Sequence, residues 1–331
     1  MISNLQLERK ACTGRRSTSA LGLVNKMKGN LFSIAALAVL AAAATSAYGQ
    51  ASSESLRQTY DALFRVVSIT DNISKANIHV CKERNLTYGF SHLFVNSETS
   101  PEVRTVWAAA FTINAAPTVI HVNPKGPAKL AGLQVNDEIL SVNGDIWPEQ
   151  VREQNVFLKN LSDAKANQSR LTIKVRRAED EHTLELTAEL TCKIKINIVP
   201  NEKSSAFAGG SAISFESGIS RVLSDDGELA FIVAHEMAHV ILQHVPDKLS
   251  RAQMESEADE LGMKLFLAAG YNPDDAASAI RKLDTANRGP ITRMLGLYGS
   301  YLPTEKRVDF LFSIAKQAIE AKPSIEVPPS R

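Results

Sequence analysis

The chain has 331 residues, 44% of them apolar and 22% charged, with a formal net charge of +1. That length and composition suit an ordinary globular protein of about two domains and exclude a disordered one. Of 37 Lys and Arg against 36 Asp and Glu, six bases (Arg9, Lys10, Arg15, Arg16, Lys26, Lys28) and one acid (Glu8) fall within residues 1–49. The remainder is mildly acidic, so neither nucleic acid nor an anionic membrane surface is an expected partner.

Residues 1–49 read as a targeting segment. Met27-Lys28 precedes an apolar stretch from Leu31 to Ala44, and Ala47-Tyr48-Gly49 forms a cleavage signal before Gln50. Export to the periplasm or cell envelope is the expectation; the alternative is a retained membrane anchor over residues 31–49. Met27 opens a signal peptide of ordinary proportions and is the alternative start, so residues 1–26 are assigned no structure. Cys12 would leave with the presequence. Cys81 and Cys192 then remain as an even pair flanking the middle region, expected to form a disulfide in an oxidising compartment, with two buried thiols as the alternative.

Residues 50–85 carry Leu56, Tyr60, Leu63, Val67, Ile69 and Ile73 at helical spacing, a helical segment expected to pack on a later domain. From 86 to 192 the pattern changes to short alternating strands at Pro117–Val122, Glu138–Val142, Leu171–Val175 and Thr183–Thr187, with Asn143-Gly144 as a turn and a helix over Val151–Ser162. Within it, Gly126-Pro-Ala-Lys-Leu-Ala-Gly-Leu-Gln-Val-Asn-Asp-Glu-Ile-Leu-Ser-Val-Asn-Gly144 resembles the core of a bacterial PDZ domain. The resemblance implies a short helix packed through Ala131, Gly132 and Leu133. It also implies a loop whose backbone N–H groups receive a peptide carboxylate, for which Tyr88-Gly89-Phe90 is the candidate, so C-terminal protein tails are expected partners. A closed, purely structural PDZ domain is the other reading.

From 193 to 325, strands are expected at Ile194–Ile198 and Ser211–Phe215, followed by helices. Asp225-x-x-Glu228 reads as a capping box opening a helix through Gln243. Later helices are expected at Ala252–Ala269, stopped by Gly270, at Pro273–Ala286, and at Thr304–Ala321. The first of these helices is apolar apart from His235-Glu236-x-x-His239, the zinc-peptidase spacing: four helical residues advance about 400°, so both imidazoles leave one face a turn apart. Glu236, beside them, suits proton transfer as general base and acid.

Catalytic zinc needs a third protein ligand. Glu255-Ser256-Glu257-Ala258-Asp259 on the next helix supplies Glu255 as the ligand. Asp259, one turn further on the same face, is placed to accept the free ring N–H of a zinc histidine, while Glu257 points about 200° away from Glu255. His244 projects half a turn from His235 and is expected at the surface.

These motifs resemble the zinc peptidase family that includes HtpX, BepA and the type 1 CAAX prenyl protease, in which His-Glu-x-x-His is followed by Glu-x-x-Ala-Asp. The likeness runs from about Lys193 to Ala321 and includes Ser205-Ala-Phe-Ala-Gly-Gly210. Ser205 stands where the family has Asn, and Tyr301-Leu302-Pro303 stands where it has Thr-His-Pro, so Leu302 lacks the family histidine. Tyr301 as oxyanion donor and Arg307 as orienting residue are the substitutes considered.

The expected architecture is α+β: a mainly helical zincin-like peptidase domain with a small β-sheet, and a β-rich PDZ-like domain inserted before it. The expected function is that of a metalloendopeptidase using one Zn²⁺ per chain, held by His235, His239 and Glu255, on exposed or misfolded envelope protein segments laid beside strand 211–215. The alternative is a PDZ-based peptide-binding or chaperone-like envelope protein.

Overall fold

Three apolar clusters organise the computed structural model, which describes residues 33–95, 99–244, 249–287 and 302–320. Residues 1–32 of the leader, and Tyr301, lie outside the described residues, and 33–49 begin the first helix, α1 (Ser33–Ala76). No helix among the described residues is long and apolar enough to cross a membrane.

The C-terminal half of α1 is two-faced at helical spacing. Val66, Ile69 and Ile73 enter the largest core, while Tyr60, Leu63 and Phe64 form a second contact surface. The chain then leaves through β1 (Arg84–Thr87) and returns through β8 (Glu189–Cys192), which pair antiparallel with Arg84 opposite Cys192. A Cys81–Cys192 disulfide closes this neck, with Cα atoms 5.3 Å apart across 111 residues of sequence. In the chain-entropy account a loop of that size is worth about 4–5 kcal/mol.

Between those two strands lie β2 (Phe90–Leu93), α2 (Pro101–Ala110), β3 (Thr118–Val122), α3 (Pro127–Leu130), β4 (Glu138–Val142), β5 (Asp145–Ile146), α4 (Val151–Asn167), β6 (Arg170–Arg177) and β7 (Asp180–Thr187). They form an antiparallel sheet of order β2-β3-β4-β6-β7, with β5 turned back on β4. Asn143 and Gly144 both have positive φ (50° and 92°), the type I′ geometry that suits a two-residue hairpin. Val119, Leu133, Ile139, Leu161, Leu171, Ile173 and Val175 fill the core beneath α4.

Two sequence expectations change here. The α3 segment packs through Pro127, Ala128, the half-buried Ala131 and Leu133, whereas Gly132 is exposed at φ 88°, reversing the chain. The 25-residue gap before β3 holds α2, opened by Pro101 in the first turn and by the Ser100 hydroxyl, which accepts from the Val103 N–H.

After the insertion come β9 (Lys195–Val199), β10 (Ala206–Gly209) and β11 (Ala212–Glu216), in order β10-β11-β9, with β11 antiparallel to β10 and parallel to β9. Then follow α5 (Ile219–Val222), α6 (Asp226–Leu242), α7 (Arg251–Ala268), α8 (Pro273–Asn287) and α9 (Thr304–Glu320). Because α1 packs on α6, α7 and β9, residues on both sides of the β-rich insertion share one core.

The start of α6 departs from the expected capping box. Asp225 caps it by accepting from the Gly227 N–H at 2.7 Å, but Glu228 turns inward, where the Ser278 hydroxyl donates to it at 2.6 Å and Lys282 pairs with it, both from α8. A carboxylate taken from water needs such partners, and tertiary packing supplied stronger ones than its own helix N-terminus.

Candidate metal centre

From Gly227 to Ala238, α6 is buried all round, so its polar residues are the exceptions that require an account. His235 and Glu236 are only 6% and 7% exposed. α7 crosses α6 directly behind them. A Cβ on Gly262 would stand 2.9 Å from the His235 Cα, so the close approach of the two backbones at the metal-facing turn depends on glycine.

That approach brings one ligand atom each from His235, His239 and Glu255 within 4.8 Å of one another. The two Nε2 atoms are 3.2 Å apart, and His235 Nε2 is 3.4 Å from Glu255 Oε2. Zinc bonds of about 2.0–2.1 Å at tetrahedral angles give edges of about 3.3 Å, so this donor set fits zinc and leaves a fourth corner open.

Behind His235, its Nδ1 lies 2.9 Å from Asp259 Oδ1, and Arg307 grips the same carboxylate with Nε (2.8 Å to Oδ2) and Nη2 (2.7 Å to Oδ1). Burial alone would raise the Asp259 carboxyl; the His235 hydrogen bond and Arg307 overturn this and hold it well below the usual carboxylate range. Burial likewise disfavours a charged His235, but bonds to Asp259 and Glu255 raise it to about 9 in the metal-free cluster. His239, which burial and the neighbouring His235 push down to about 4, stays neutral there. Glu236 is pushed up to about 6, chiefly by burial, with the Ala208 N–H on β10 donating to it.

His244 departs from the sequence expectation. Its side chain is 5% exposed rather than at the surface: Nδ1 lies 2.8 Å from His239 Nδ1, and Nε2 lies 3.1 Å from Glu257 Oε2. The helical projection failed because α6 ends at Leu242, before His244.

The centre opens into a cleft of about 1000 Å³, walled by β10, Ile232, Leu302, Arg307 and the Cys81–Cys192 neck. β11 is the middle strand, with both edges taken by β9 and β10. Strand 211–215 therefore has no edge to offer a substrate. The outer edges of this sheet belong to β10 and β9, and β10, whose Phe207 is 55% exposed, is the one that walls the cleft.

At the insertion, Tyr88 is buried and donates its hydroxyl proton to Gln168 O, and Gly89 sits at φ 69° with its N–H bonded to Thr87 Oγ1 at 3.1 Å. Thr87 Oγ1 in turn donates to Asp71 of α1 at 3.1 Å. The Gly89 carbonyl accepts from Asn123 N on the β3 side, so by strand alternation the Phe90 carbonyl points out of the free edge of β2, where Lys165 Nζ donates to it at 2.9 Å. The candidate loop thus carries internal partners on the Gly89 N–H and on the Tyr88, Gly89 and Phe90 carbonyls.

Comparison with known proteins finds a match to two parts of the chain. A model of the PDZ domain matches residues 94–188, and a model of peptidase family M48 matches residues 166–254, spanning α6 and stopping one residue short of Glu255. Among solved structures, the crystal structure of the HtrA3 PDZ domain bound to a phage-derived ligand (FGRWV) is similar over 33% of this chain and 89% of that one, at 20% identity and a TM-score of 0.24. No curated protein matches the chain.

Proposed function

We propose, from the premise that this chain is a peptidase family M48 protein carrying a PDZ domain, that it is a zinc-dependent metalloendopeptidase of the cell envelope acting on exposed or misfolded protein segments. The observation that carries this reading is the convergence of His235, His239 and Glu255 on one point, with Glu236 beside it and the free edge of β10 along the cleft. Zinc bound there would lower the pKa of a coordinated water toward neutrality and polarise the scissile carbonyl.

The chain's own residues supply the rest. With a pKa near 6, the Glu236 carboxylate is ionised at neutral pH yet close enough to it to exchange protons. It takes one from the attacking water and returns it to the leaving amine. The Ala208 N–H holds that carboxylate in place. Asp259, fixed by Arg307, keeps His235 oriented. A substrate pairing with β10 must be extended, because strand addition uses main-chain hydrogen bonds that folded segments have already spent. Cleavage is therefore directed at unfolded or misassembled segments. The buried Cys81–Cys192 bridge supports an oxidising compartment, in keeping with export. C-terminal protein tails would bind the PDZ domain along the free edge of β2.

A peptide-holding protein with little or no proteolysis is the second reading, favoured by Leu302 in place of the family histidine. Glu236→Gln separates the two. The variant should bind one zinc per chain and lose about 10²–10⁴-fold in hydrolysis of an unfolded casein-type substrate. Chelator-sensitive cleavage by it at the wild-type rate rejects the assignment, and wild-type protein that binds zinc but cuts nothing favours the peptide-holding reading.

A further inference from the structure

We infer that His244, braced by Glu257, is a positioning residue that holds His239 in the one tautomer able to bind the metal. The inference rests on the peptidase reading of the same centre. It begins with the backbone. α6 ends at Leu242, and Gln243 takes the left-handed conformation (φ 55°, ψ 47°) that disfavours a residue with a Cβ. The His244 N–H then bonds back to the His239 carbonyl at 3.2 Å, closing a six-residue reversal. This reversal swings the His244 ring against His239, with ring centroids 4.9 Å apart and planes at 75°.

With His244 in its uncharged form, proton accounting leaves one arrangement. Two ring nitrogens 2.8 Å apart need one donor and one acceptor. Glu257 as a carboxylate only accepts, so the proton on His244 sits on Nε2, 3.1 Å from Glu257 Oε2, and His244 Nδ1 is the acceptor. His239 Nδ1 must therefore donate, and the His239 lone pair is left on Nε2, the atom that faces His235 and Glu255. On the other side, Asp259 accepts from His235 Nδ1, so the proton that His235 gives up on binding metal is the one on Nε2.

The two braces differ in kind. Asp259 is fully buried and clamped by Arg307, whereas the His239 brace passes through a second imidazole to Glu257, whose side chain is 49% exposed. His239 is thus the less firmly held ligand, and its grip depends on an acceptor at the position of His244 Nδ1.

The test is zinc affinity of the purified full chain, measured by competition with a chromogenic chelator, for wild type, His244→Ala and His244→Asn. His244→Ala should bind zinc about 10–100-fold more weakly, the range expected when the partner of a ligand histidine is lost. His244→Asn keeps a carbonyl oxygen able to accept from His239 Nδ1 and should recover most of that loss. Metal-free His244→Ala melting near wild type would show that the fold is intact. Equal zinc affinity in wild type and His244→Ala overturns the inference alone. So does a loss in His244→Asn as large as in His244→Ala, since packing rather than proton acceptance would then be at work. A wild-type chain with no zinc affinity removes the peptidase reading together with this one.

Discussion

Around α6 and α7, polar and charged groups withdrawn from water are held in pairs: His235 by Asp259, Asp259 by Arg307, His239 by His244, and His244 by Glu257. At the free edge of β2 the opposite holds. Lys165 of α4 spends its ammonium on the Phe90 carbonyl and lies 3.8 Å from that ring's centroid, while His92 Nδ1 is buried with no partner. Burial pushes Lys165 down to about 8 and His92 to about 3, because neither has a countercharge strong enough to offset desolvation. The metal centre is built before its ligand arrives. The β2 edge is covered by Lys165, which a peptide adding there would first have to displace.

The strongest way to break this contrast is Asp259→Asn. Removing the charge of the fully buried Asp259 weakens its bonds to both Arg307 and His235, an effect of about 3–5 kcal/mol in urea unfolding of the metal-free protein. The pH dependence carries the sign. A carboxylate whose folded pKa lies below its unfolded value of about 3.9 contributes fully above that pH and loses its contribution as pH falls toward the folded value. Wild-type and variant stability should therefore converge as the pH drops below about 4. A gap that stays constant down to pH 2 would mean that shape rather than charge holds the pair.

A smaller effect is expected from Gly262→Ala. In an exposed helix this change stabilises by about 1 kcal/mol, but here the new methyl meets the His235 backbone at 2.9 Å, and backbone cannot rotate away. Overpacking of about 1–3 kcal/mol should win, and Glu255, which rides on α7, should move out of reach of the histidines. Measured zinc affinity and thermal midpoint should fall together. A more stable variant with undiminished zinc affinity would show that the two helices have slack and that the centre is less rigid than drawn.

What the sequence revealed divides along the same line. His235, Glu236 and His239 were legible because α6 obeys one period from its Asp225 cap to Leu242, and Glu255 and Asp259 because a one-turn spacing survives in any helix. His244 was misread because helical projection was extended past Leu242, and a left-handed Gln243 gives no signal of the kind a glycine would. β10 was missed as a strand because its four residues, ending at Gly209, have too short an alternation to register. α2 did carry a signal, Ser100-Pro101-Glu102, but its apolar residues lack a clear face. The self-capped edge of β2 was beyond reach, because Lys165 and Phe90 are 75 residues apart and only the fold joins them.

Lys165→Ala probes the weaker half of the comparison. Freeing the Phe90 carbonyl removes a competitor for the first main-chain bond of an added strand, so an extended peptide ending in a free carboxylate should bind the full chain about fivefold more tightly, roughly 1 kcal/mol. Stability supplies an independent sign. With a folded pKa near 8 against an unfolded value near 10.4, the ammonium opposes folding below pH 8, and that opposition fades as pH rises through the interval. Wild type should therefore gain on Lys165→Ala in unfolding free energy between pH 8 and 10. Peptide affinity that falls instead, with the stability trend intact, would recast Lys165 as the countercharge for the peptide carboxylate. The β2 edge would then resemble the metal centre after all, a charged site waiting for its partner.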